Sequence, residues 1–292
     1  MAGKTVVDCV VRSHDRLGES PVWSAGERKL YWVDSRAPAV RRFDPASGAL
    51  ESRALPALVG SIGLRARGGL VLALQSGFHA IDAFDAALQA ICDPEADAPE
   101  NRFNDGRCDR RGRFWAGTMN DRRRDPTGAL YRLDPDHRCT RVRDDIIVPN
   151  SIAWSPDDRT MYFADTYRTV ILAYPFDLDA GALGTPRTFA DRFARGRPDG
   201  STVDADGCLW NAEYAGGRVV RYTPRGEIDR IVELPVSQPT SCCFGGPDLD
   251  VLYVTTASQR LNPEQLAGEP LAGSVFAVAV GVRGLPEPAF GG

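Results

Sequence analysis

The segment Arg197-Pro198-Asp199-Gly200-Ser201-Thr202-Val203-Asp204, followed by Gly207-Cys208-Leu209-Trp210, shows the arrangement that decides the fold. A carboxylate lies between a proline and a glycine, and two short apolar runs come after it. The same arrangement recurs along the chain, each time with an oxygen-bearing side chain ahead of two strand-like runs. The other copies begin at Glu19-Ser20-Pro21-Val22-Trp23, Asn104-Asp105-Gly106 and Asn150-Ser151-Ile152-Ala153-Trp154. Repetition of one unit along a chain is the signature of a repeat architecture.

Short runs rich in Val, Ile, Tyr, Phe and Trp dominate the sequence, and turn-forming residues bound them. Long windows with helical periodicity are scarce, so the pattern favours an all-β protein. The centres of the second run in each unit fall at Tyr31, Val71, Trp115, Tyr162, Trp210 and Tyr253. Their spacing is roughly 40–48 residues, which is the range of a four-stranded propeller blade.

Six such units predict a six-bladed β-propeller that takes residues 1–292 as one domain. Blades bury their faces only against neighbouring blades, so a closed ring is the natural solution. The leading run Val6–Val11 has no unit of its own, and we expect it to complete the last blade beside residues 274–280. A β-sandwich or a pair of smaller β domains is the alternative, but the sequence shows no linker or change of composition between units.

Composition limits the classes of function. The chain has 292 residues, a hydrophobic content of 43% and a net charge of −4. These values are sufficient for a packed core and give no electrostatic reason to bind nucleic acid or an anionic membrane. No segment approaches the ~20 apolar residues of a membrane span, and nothing indicates an obligate protein partner.

The N-terminus and the cysteines favour a cytoplasmic location. Met1–Thr5 lead directly into a strand-like run, without the apolar region and cleavage site of a secretory signal. The seven cysteines lack CxxC spacing, so we interpret most of them as reduced, buried apolar groups.

The first strand of each blade lines the central channel of a propeller, so equivalent start positions become neighbours around one axis. Four start positions carry carboxylate or amide side chains: Glu19, Asn104, Asn150 and Asp199. The other two lie near Ser61 and Ser241. Taken alone, each of these polar residues is more readily interpreted as a turn-forming residue than as part of a site. Their equivalent placement in several repeats is what indicates a site.

Two carboxylates and two amides at a channel mouth would be costly to desolvate without a partner, and a divalent cation would offset that cost. Hard oxygen donors without His or Cys favour Ca²⁺, Mg²⁺ or Mn²⁺. His14, His79 and His137 lie outside the set, which argues against a histidine-rich zinc site and against a Ser-His-Asp triad.

The sequence resembles the SMP-30/gluconolactonase (regucalcin-like) family from about Gly18 to the last blade. The resemblance is carried by Gly18-Glu19-Ser20-Pro21-Val22-Trp23, Arg102-Phe103-Asn104-Asp105-Gly106, Gly117-Thr118-Met119, Pro149-Asn150-Ser151, Pro198-Asp199-Gly200 and Thr240-Ser241-Cys242-Cys243-Phe244-Gly245-Gly246. Each motif alone is weak, but their number and order are specific. The family consists of six-bladed propellers that are metal-dependent sugar lactonases.

The resemblance implies that Glu19, Asn150 and Asp199 are the protein ligands of one divalent metal. Ca²⁺ is the first expectation, with Zn²⁺, Mn²⁺ and Mg²⁺ as alternatives. It also implies that Asp199 is the general base and that Arg102 and Asn104 hold the substrate. Animal members carry an acidic pair after Gly-Thr-Met, where this chain reads Asn120-Asp121-Arg122-Arg123-Arg124. Arg122 aligns with the contacting glutamate, and Asp121 or Asn120 is expected to substitute for it.

The leading functional prediction is a metal-dependent hydrolase that opens a sugar lactone to the aldonic acid. Metal would polarise the carbonyl, and Asp199 would deprotonate water. Two alternatives stay open: hydrolysis of other esters, including organophosphates, at the same metal, and a calcium-binding or interaction propeller without catalysis. Fold analogy alone does not separate them.

Overall fold

Six antiparallel sheets follow one another along the chain and form the blades of a β-propeller. The computed structural model describes residues 6–292. The interpretation of Met1–Thr5 as free of a secretory signal falls outside them. We number the blades 1 to 6 by the order of their inner strands. None of the helices in residues 6–292 is long and apolar enough to cross a membrane.

The chain starts with β1 (Val7–Val11) and then builds the first three blades. Blade 1 contains β2 (Gly18–Ser24), β3 (Lys29–Asp34), β4 (Ala39–Asp44) and β5 (Ala49–Ala54). Blade 2 contains β6 (Val59–Leu64), β7 (Leu70–Leu74), β8 (Gly77–Ile81) and β9 (Gln89–Cys92). Blade 3 contains β10 (Asn101–Cys108), β11 (Phe114–Asn120), β12 (Gly128–Leu133) and β13 (Cys139–Ile146). In each blade the order in space equals the order in sequence.

Blades 4 to 6 depart slightly from this plan. Blade 4 contains β14 (Pro149–Trp154), β15 (Thr160–Asp165), β16 (Val170–Asp177), β17 (Ala182–Leu183) and β18 (Arg187–Ala190), and both of the last two pair with β16. Blade 5 contains β19 (Arg197–Val203), β20 (Leu209–Tyr214), β21 (Arg218–Tyr222) and β22 (Ile228–Glu233). Blade 6 contains β23 (Pro239–Gly245), β24 (Val251–Thr256) and β25 (Val275–Ala279). The short helix α1 (Pro263–Gly268) lies between β24 and β25, where the sequence predicted no helix.

The N-terminal strand closes the ring, as predicted. Strand β1 pairs antiparallel with β25, and Val7 lies opposite Val278 while Cys9 lies opposite Phe276. Blade 6 therefore has the order β1-β25-β24-β23, with its outer strand supplied by the start of the chain. The pairing ties down a terminus that would otherwise fray.

Apolar clusters fill the spaces between neighbouring blades. Trp115 of blade 3 packs edge-on against Trp154 of blade 4, with 6.1 Å between ring centroids. Trp210 of blade 5 meets Phe244 of blade 6 in the same way, also at 6.1 Å. The tryptophans at repeat positions therefore belong to the core, as expected from their spacing.

All seven cysteines are free thiols, and four of them are buried.

Three blades carry the same buried network of a tryptophan, an aspartate and an arginine. In blade 5, Asp204 accepts hydrogen bonds from Trp210 Nε1 and Arg221 Nε, both at 2.8 Å. Two further aspartates make the same kinds of contact: Asp15 accepts from Trp32 and Arg41, and Asp109 accepts from Trp115 and Arg113. The three carboxylates are at most 1% exposed. Each network supplies a hydrogen-bond acceptor to a buried indole N–H and a counter-charge to a guanidinium group. A purely apolar core would leave both groups without a partner.

The C-terminal segment crosses the end of the channel where the inner strands finish. Gly284 bridges to Asp204 just after β19, and Phe290 bridges to Arg65 just after β6. Phe290 is fully buried, and Glu287 forms an ion pair with Arg107 at 3.2 Å. The opposite mouth, where the inner strands start, is the one that carries the polar start positions.

Candidate metal and substrate site

The polar start positions lie inside the inner strands, and each of them lies within or directly before a register shift. The shifts fall between Glu19 and Val22, between Phe103 and Gly106, between Asn150 and Ala153, and between Pro198 and Ser201. A bulge bends a strand and redirects its side chains, and bulges are frequent next to functional sites. The repeated bulge therefore turns one polar side chain toward the channel in each of blades 1, 3, 4 and 5.

The alternative that Pro198-Asp199-Gly200 form a turn does not apply, because these residues belong to β19. Gly200 does not have a positive φ. A Cβ atom built on it would lie 2.1 Å from Ser241 Oγ, so the position needs glycine for close approach to blade 6. Positive φ occurs instead at Ser20 (50°) and Ser151 (57°), each directly after a candidate ligand. Such backbone strain often accompanies functional sites.

The channel mouth holds a cavity of about 450 Å³. It brings together five of the six predicted site residues: Glu19, Arg102, Asn104, Asn150 and Asp199. Among the described residues, blade 2 contributes none to the cavity wall, so the position near Ser61 takes no part. The apolar part of the cavity wall is formed by Leu17, Met119 and Val148. Further polar groups of the wall belong to Thr166, Tyr167 and Tyr214.

The two candidate carboxylate ligands are buried and resist ionisation. Glu19 and Asp199 are 7% and 5% exposed. Burial first, and then the charge of Asp105, raise the pKa of Glu19 to about 8, although Arg102 opposes the shift. Burial, followed by the charges of Glu19 and Asp105, raises the pKa of Asp199 well above its ordinary range. A cation bound between Glu19 and Asp199 would favour the ionised form of both.

A chain of hydrogen bonds fixes the orientation of Asn150. Its Nδ2 donates to Thr166 Oγ1 at 2.8 Å, and Thr166 donates in turn to the Pro198 carbonyl at 2.7 Å. Its Oδ1 accepts from Asn104 Nδ2 at 3.1 Å. Because Nδ2 is engaged by Thr166, the amide oxygen is the atom that Asn150 turns toward Asn104 and the channel. A second lone pair on that oxygen is available to a ligand.

The donor set fits a hard divalent cation. Two carboxylates and one amide supply oxygen only, and oxygen ligands suit Ca²⁺, Mg²⁺ or Mn²⁺ better than Zn²⁺. Residues 6–292 contain no cluster of three or more His, Cys, Asp or Glu side chains arranged for a metal. The amide oxygen of Asn150 is therefore needed as the third protein ligand beside the two carboxylates. The histidines lie elsewhere: His79 hydrogen-bonds to the Gly77 carbonyl, and His137 stacks on Phe290.

Asp121 lies beside the cavity and binds two of its arginines. Its carboxylate accepts two hydrogen bonds from Arg36 and one from Arg102 Nε, all at 2.7 Å. Burial raises the pKa of Asp121, but the hydrogen bonds from Arg36 and the charge of Arg102 outweigh it and hold the pKa well below its ordinary range. Asp121 is not part of the cavity wall. Direct substrate contact by Asp121 stays a prediction, whereas its contacts assign it the positioning of Arg36 and Arg102.

Sequence reasoning missed several cavity residues that lie in loops. Arg36 and Tyr167 each come two residues after the aspartate that ends the second strand of a blade, Asp34 or Asp165. Extending the repeat comparison past that strand would have found both. Arg122, which aligns with the family's acidic contact, is 77% exposed and faces Glu100, whereas Arg124 lines the cavity.

The fold and the site define a class: six-bladed β-propellers whose inner strands place carboxylate and amide oxygens in a polar cavity at one channel mouth. The model of the family described as SMP-30/Gluconolactonase/LRE-like region matches residues 17–258. The chain belongs to this family, as the motifs predicted, and this membership supports sugar-lactone hydrolysis.

Relatives align over nearly the whole chain. The chain is 43% identical to a 6-deoxy-6-sulfogluconolactonase of Pseudomonas putida, covering 97% of this chain and 98% of the relative. It is 37% identical to the regucalcin of Xenopus laevis, covering 98% of each. The crystal structure of a calcium-binding protein, regucalcin from Agrobacterium tumefaciens, superposes with a TM-score of 0.94 at 30% identity, covering 98% of both chains.

Proposed function

We propose that this protein is a metal-dependent hydrolase that opens sugar lactones to aldonic acids. The observation that carries the proposal is the convergence of Glu19, Asn150 and Asp199 on one cavity that also contains Arg102 and Asn104. Membership of the gluconolactonase family and the similarity to a sulfogluconolactonase support the reaction class. The similarity to a calcium-binding regucalcin supports Ca²⁺ as the metal.

Glu19, Asn150 and Asp199 would hold the cation, which supplies polarisation of the lactone carbonyl and stabilises the negative charge that develops on its oxygen. Asp199 takes the proton from the attacking water, whose oxygen adds to the carbonyl carbon. The bond between that carbon and the ring oxygen then breaks, and the ring oxygen receives a proton to become a hydroxyl. Asp199 is suited to this exchange because its carboxylate lines the cavity and, once ionised, can accept the proton of the water and return it to the ring oxygen.

Arg102 and Asn104 position the substrate. Arg102 uses Nε for Asp121 and Nη1 for the Phe103 carbonyl and Asn104 Oδ1. Its Nη2 has no hydrogen-bond partner within residues 6–292, and it is available to a ring hydroxyl or the carbonyl oxygen. Several donors held in fixed positions suit a polyhydroxylated ring better than an apolar ester.

Hydrolysis of a lactone panel, followed with a pH indicator, tests the proposal. The panel contains gluconolactone, galactonolactone, xylonolactone, arabinolactone and 6-deoxy-6-sulfogluconolactone. We expect acid release from at least one of them, loss of that activity in EDTA, and recovery with added Ca²⁺, Mg²⁺ or Mn²⁺. Absence of hydrolysis with every lactone, despite calcium binding, would favour the binding propeller without catalysis. Full activity in EDTA would refute the metal's role.

Calcium is expected to raise the melting temperature more at pH 8 than at pH 5.5. The pKa of Glu19 in the folded protein is raised from its ordinary value of 4.5 to about 8. The stability that its proton contributes is therefore complete below about 4.5 and is lost as the pH rises through 8. Protons compete with the metal for this carboxylate, so binding strengthens over the same range.

At a calcium concentration of 100 times Kd, the expected stabilisation is about 2.7 kcal/mol. For a chain of this size that corresponds to roughly 4–5 °C in the melting temperature. Differential scanning fluorimetry at both pH values measures it, and Glu19→Gln is the matched variant that removes the titrating group. Equal shifts at the two pH values in the parent protein would contradict the assignment of Glu19.

A further inference from the structure

Five arginines line the cavity, and three of them have no acidic partner. Arg36 and Arg102 share the carboxylate of Asp121. Arg124, Arg197 and Arg260 line the same cavity, and within residues 6–292 no carboxylate lies within 4 Å of any of them. We call these three residues, together with Tyr167, the rim cluster. It is a concentration of positive charge that the hydrolytic mechanism does not use.

Two of the three guanidinium groups lie over the ring of Tyr167, and Arg260 lines the same cavity. Arg197 lies 4.5 Å and Arg124 lies 4.9 Å from its centroid. Burial raises the pKa of Tyr167, but the nearby cations Arg124 and Arg260 outweigh it and lower the pKa to about 8. Tyr167 therefore lies in a strongly positive field.

Four different blades supply the rim cluster, so its clustering does not follow from local sequence. Arg124 follows β11 of blade 3, Tyr167 follows β15 of blade 4, Arg197 starts β19 of blade 5, and Arg260 follows β24 of blade 6. Like charges held together repel one another, and flexible arginine side chains in water would separate. Tyr167 offsets part of that repulsion through its ring and hydroxyl, and an anion among the three cations would offset much more.

The position of the rim cluster relates it to the hydrolytic site. Arg197 precedes Asp199 by two residues in β19, which is about 7 Å along a strand. Both residues line the same cavity. A sugar lactone with its carbonyl near Asp199 would therefore direct the opposite end of its carbon chain toward the rim cluster. Tyr214 adds a hydroxyl that is buried and has no partner in the described residues.

We propose that the rim cluster is a subsite for a tetrahedral oxyanion, a sulfonate or a phosphate ester, carried by the lactone at the end remote from its carbonyl. The proposal rests on the proposed lactonase function, and it makes the substrate an anionic aldonolactone. Three guanidinium groups match an oxyanion with three exposed oxygens, because each offers paired N–H donors in a planar fork. A neutral lactone would leave these cations without a partner.

Binding of open-chain analogues, measured by calorimetry on the full chain in calcium buffer, tests the subsite without requiring turnover. The probes are gluconate, 6-phosphogluconate and 6-deoxy-6-sulfogluconate. We expect one of the two anionic probes to bind about 10- to 100-fold more tightly than gluconate. The tighter of the two identifies the group as phosphate or sulfonate. Equal affinity for all three probes would overturn the proposal.

Substitution of the cluster locates the effect. The variant Arg124→Gln/Arg197→Gln/Arg260→Gln is expected to bind the anionic probes no more tightly than gluconate. Arg122→Gln is the matched control, because Arg122 is exposed and outside the cavity. We expect this control to keep the preference of the parent protein. A preference that persists in the triple variant would show that the anion binds elsewhere.

Kinetics separate failure of the subsite from failure of the proposed function. With the sulfonated or phosphorylated lactone as substrate, the triple variant is expected to lose affinity through KM, with the smaller effect on kcat. If no lactone is hydrolysed by the parent protein, the proposed reaction is refuted, whereas the calorimetric comparison still decides the subsite. If lactones are hydrolysed but anionic and neutral ones have equal kcat/KM, the reaction stands and the subsite is refuted.

Discussion

Asp199→Asn is expected to lower kcat for lactone hydrolysis by about 10²–10⁴-fold while the propeller stays folded. Asparagine keeps the size of the side chain and one oxygen for a metal, but it cannot accept a proton from water. The position tolerates a neutral group, because burial already raises the pKa of Asp199 well above its ordinary range. Steady-state rates on the best lactone of the panel, with circular dichroism as a check of folding, measure the effect.

Loss of a carboxylate also weakens a calcium site, so the rates have to be compared at saturating calcium. Asp191→Asn is the matched control, since Asp191 is an exposed carboxylate in the loop that leads into β19. A variant that regains parental kcat at high calcium would leave Asp199 as a ligand and remove it as the base. The general base would then have to be sought elsewhere in the channel.

Asp204→Ala is expected to destabilise the protein by about 3–5 kcal/mol. Asp204 is fully buried and accepts hydrogen bonds from Trp210, from Arg221 and from two backbone N–H groups. Its removal leaves a buried guanidinium and a buried indole N–H without that acceptor. The midpoint of urea unfolding measures the change, and the transition is compared at two wavelengths because a chain of this length need not unfold in two states.

Asp206→Ala provides the matched control for this network. Asp206 also binds Arg221 at 2.8 Å, but its side chain is 65% exposed. Exposed ion pairs contribute about 0–1 kcal/mol, so this variant is expected to unfold close to the parent midpoint. Equal destabilisation by the two substitutions would show that the charge of Arg221 matters and that burial of its partner does not.

The repeat made most of the fold predictable. Aromatic or apolar centres at a regular spacing identified the second strand of every blade, and the start positions followed from counting back. Ring closure by β1 was predictable because one strand was left over and one blade lacked an outer strand. The Asp204 network was also predictable from the sequence, since Asp109 and Trp115 repeat the six-residue spacing of Asp204 and Trp210.

The rest of the site depends on contacts across blades that no local pattern encodes. Asp121 binds Arg36 across 85 positions of sequence, and only the closed ring brings them together. Arg124, Arg197 and Arg260 come from segments of unequal length, so a comparison of repeats does not align them. The requirement for Gly200 was not predictable for a related reason: it comes from the close approach of Ser241 in the next blade.

The pairing of β1 with β25 has a consequence for synthesis of the chain. The ribosome delivers residues 7–11 before blades 1 to 5, but their partner strand ends at residue 279, so blade 6 can be completed only after those five blades have been synthesised. Until then the nascent chain carries an unpaired N-terminal strand and five blades in an open arc. Exposed strand edges of this kind promote aggregation during folding.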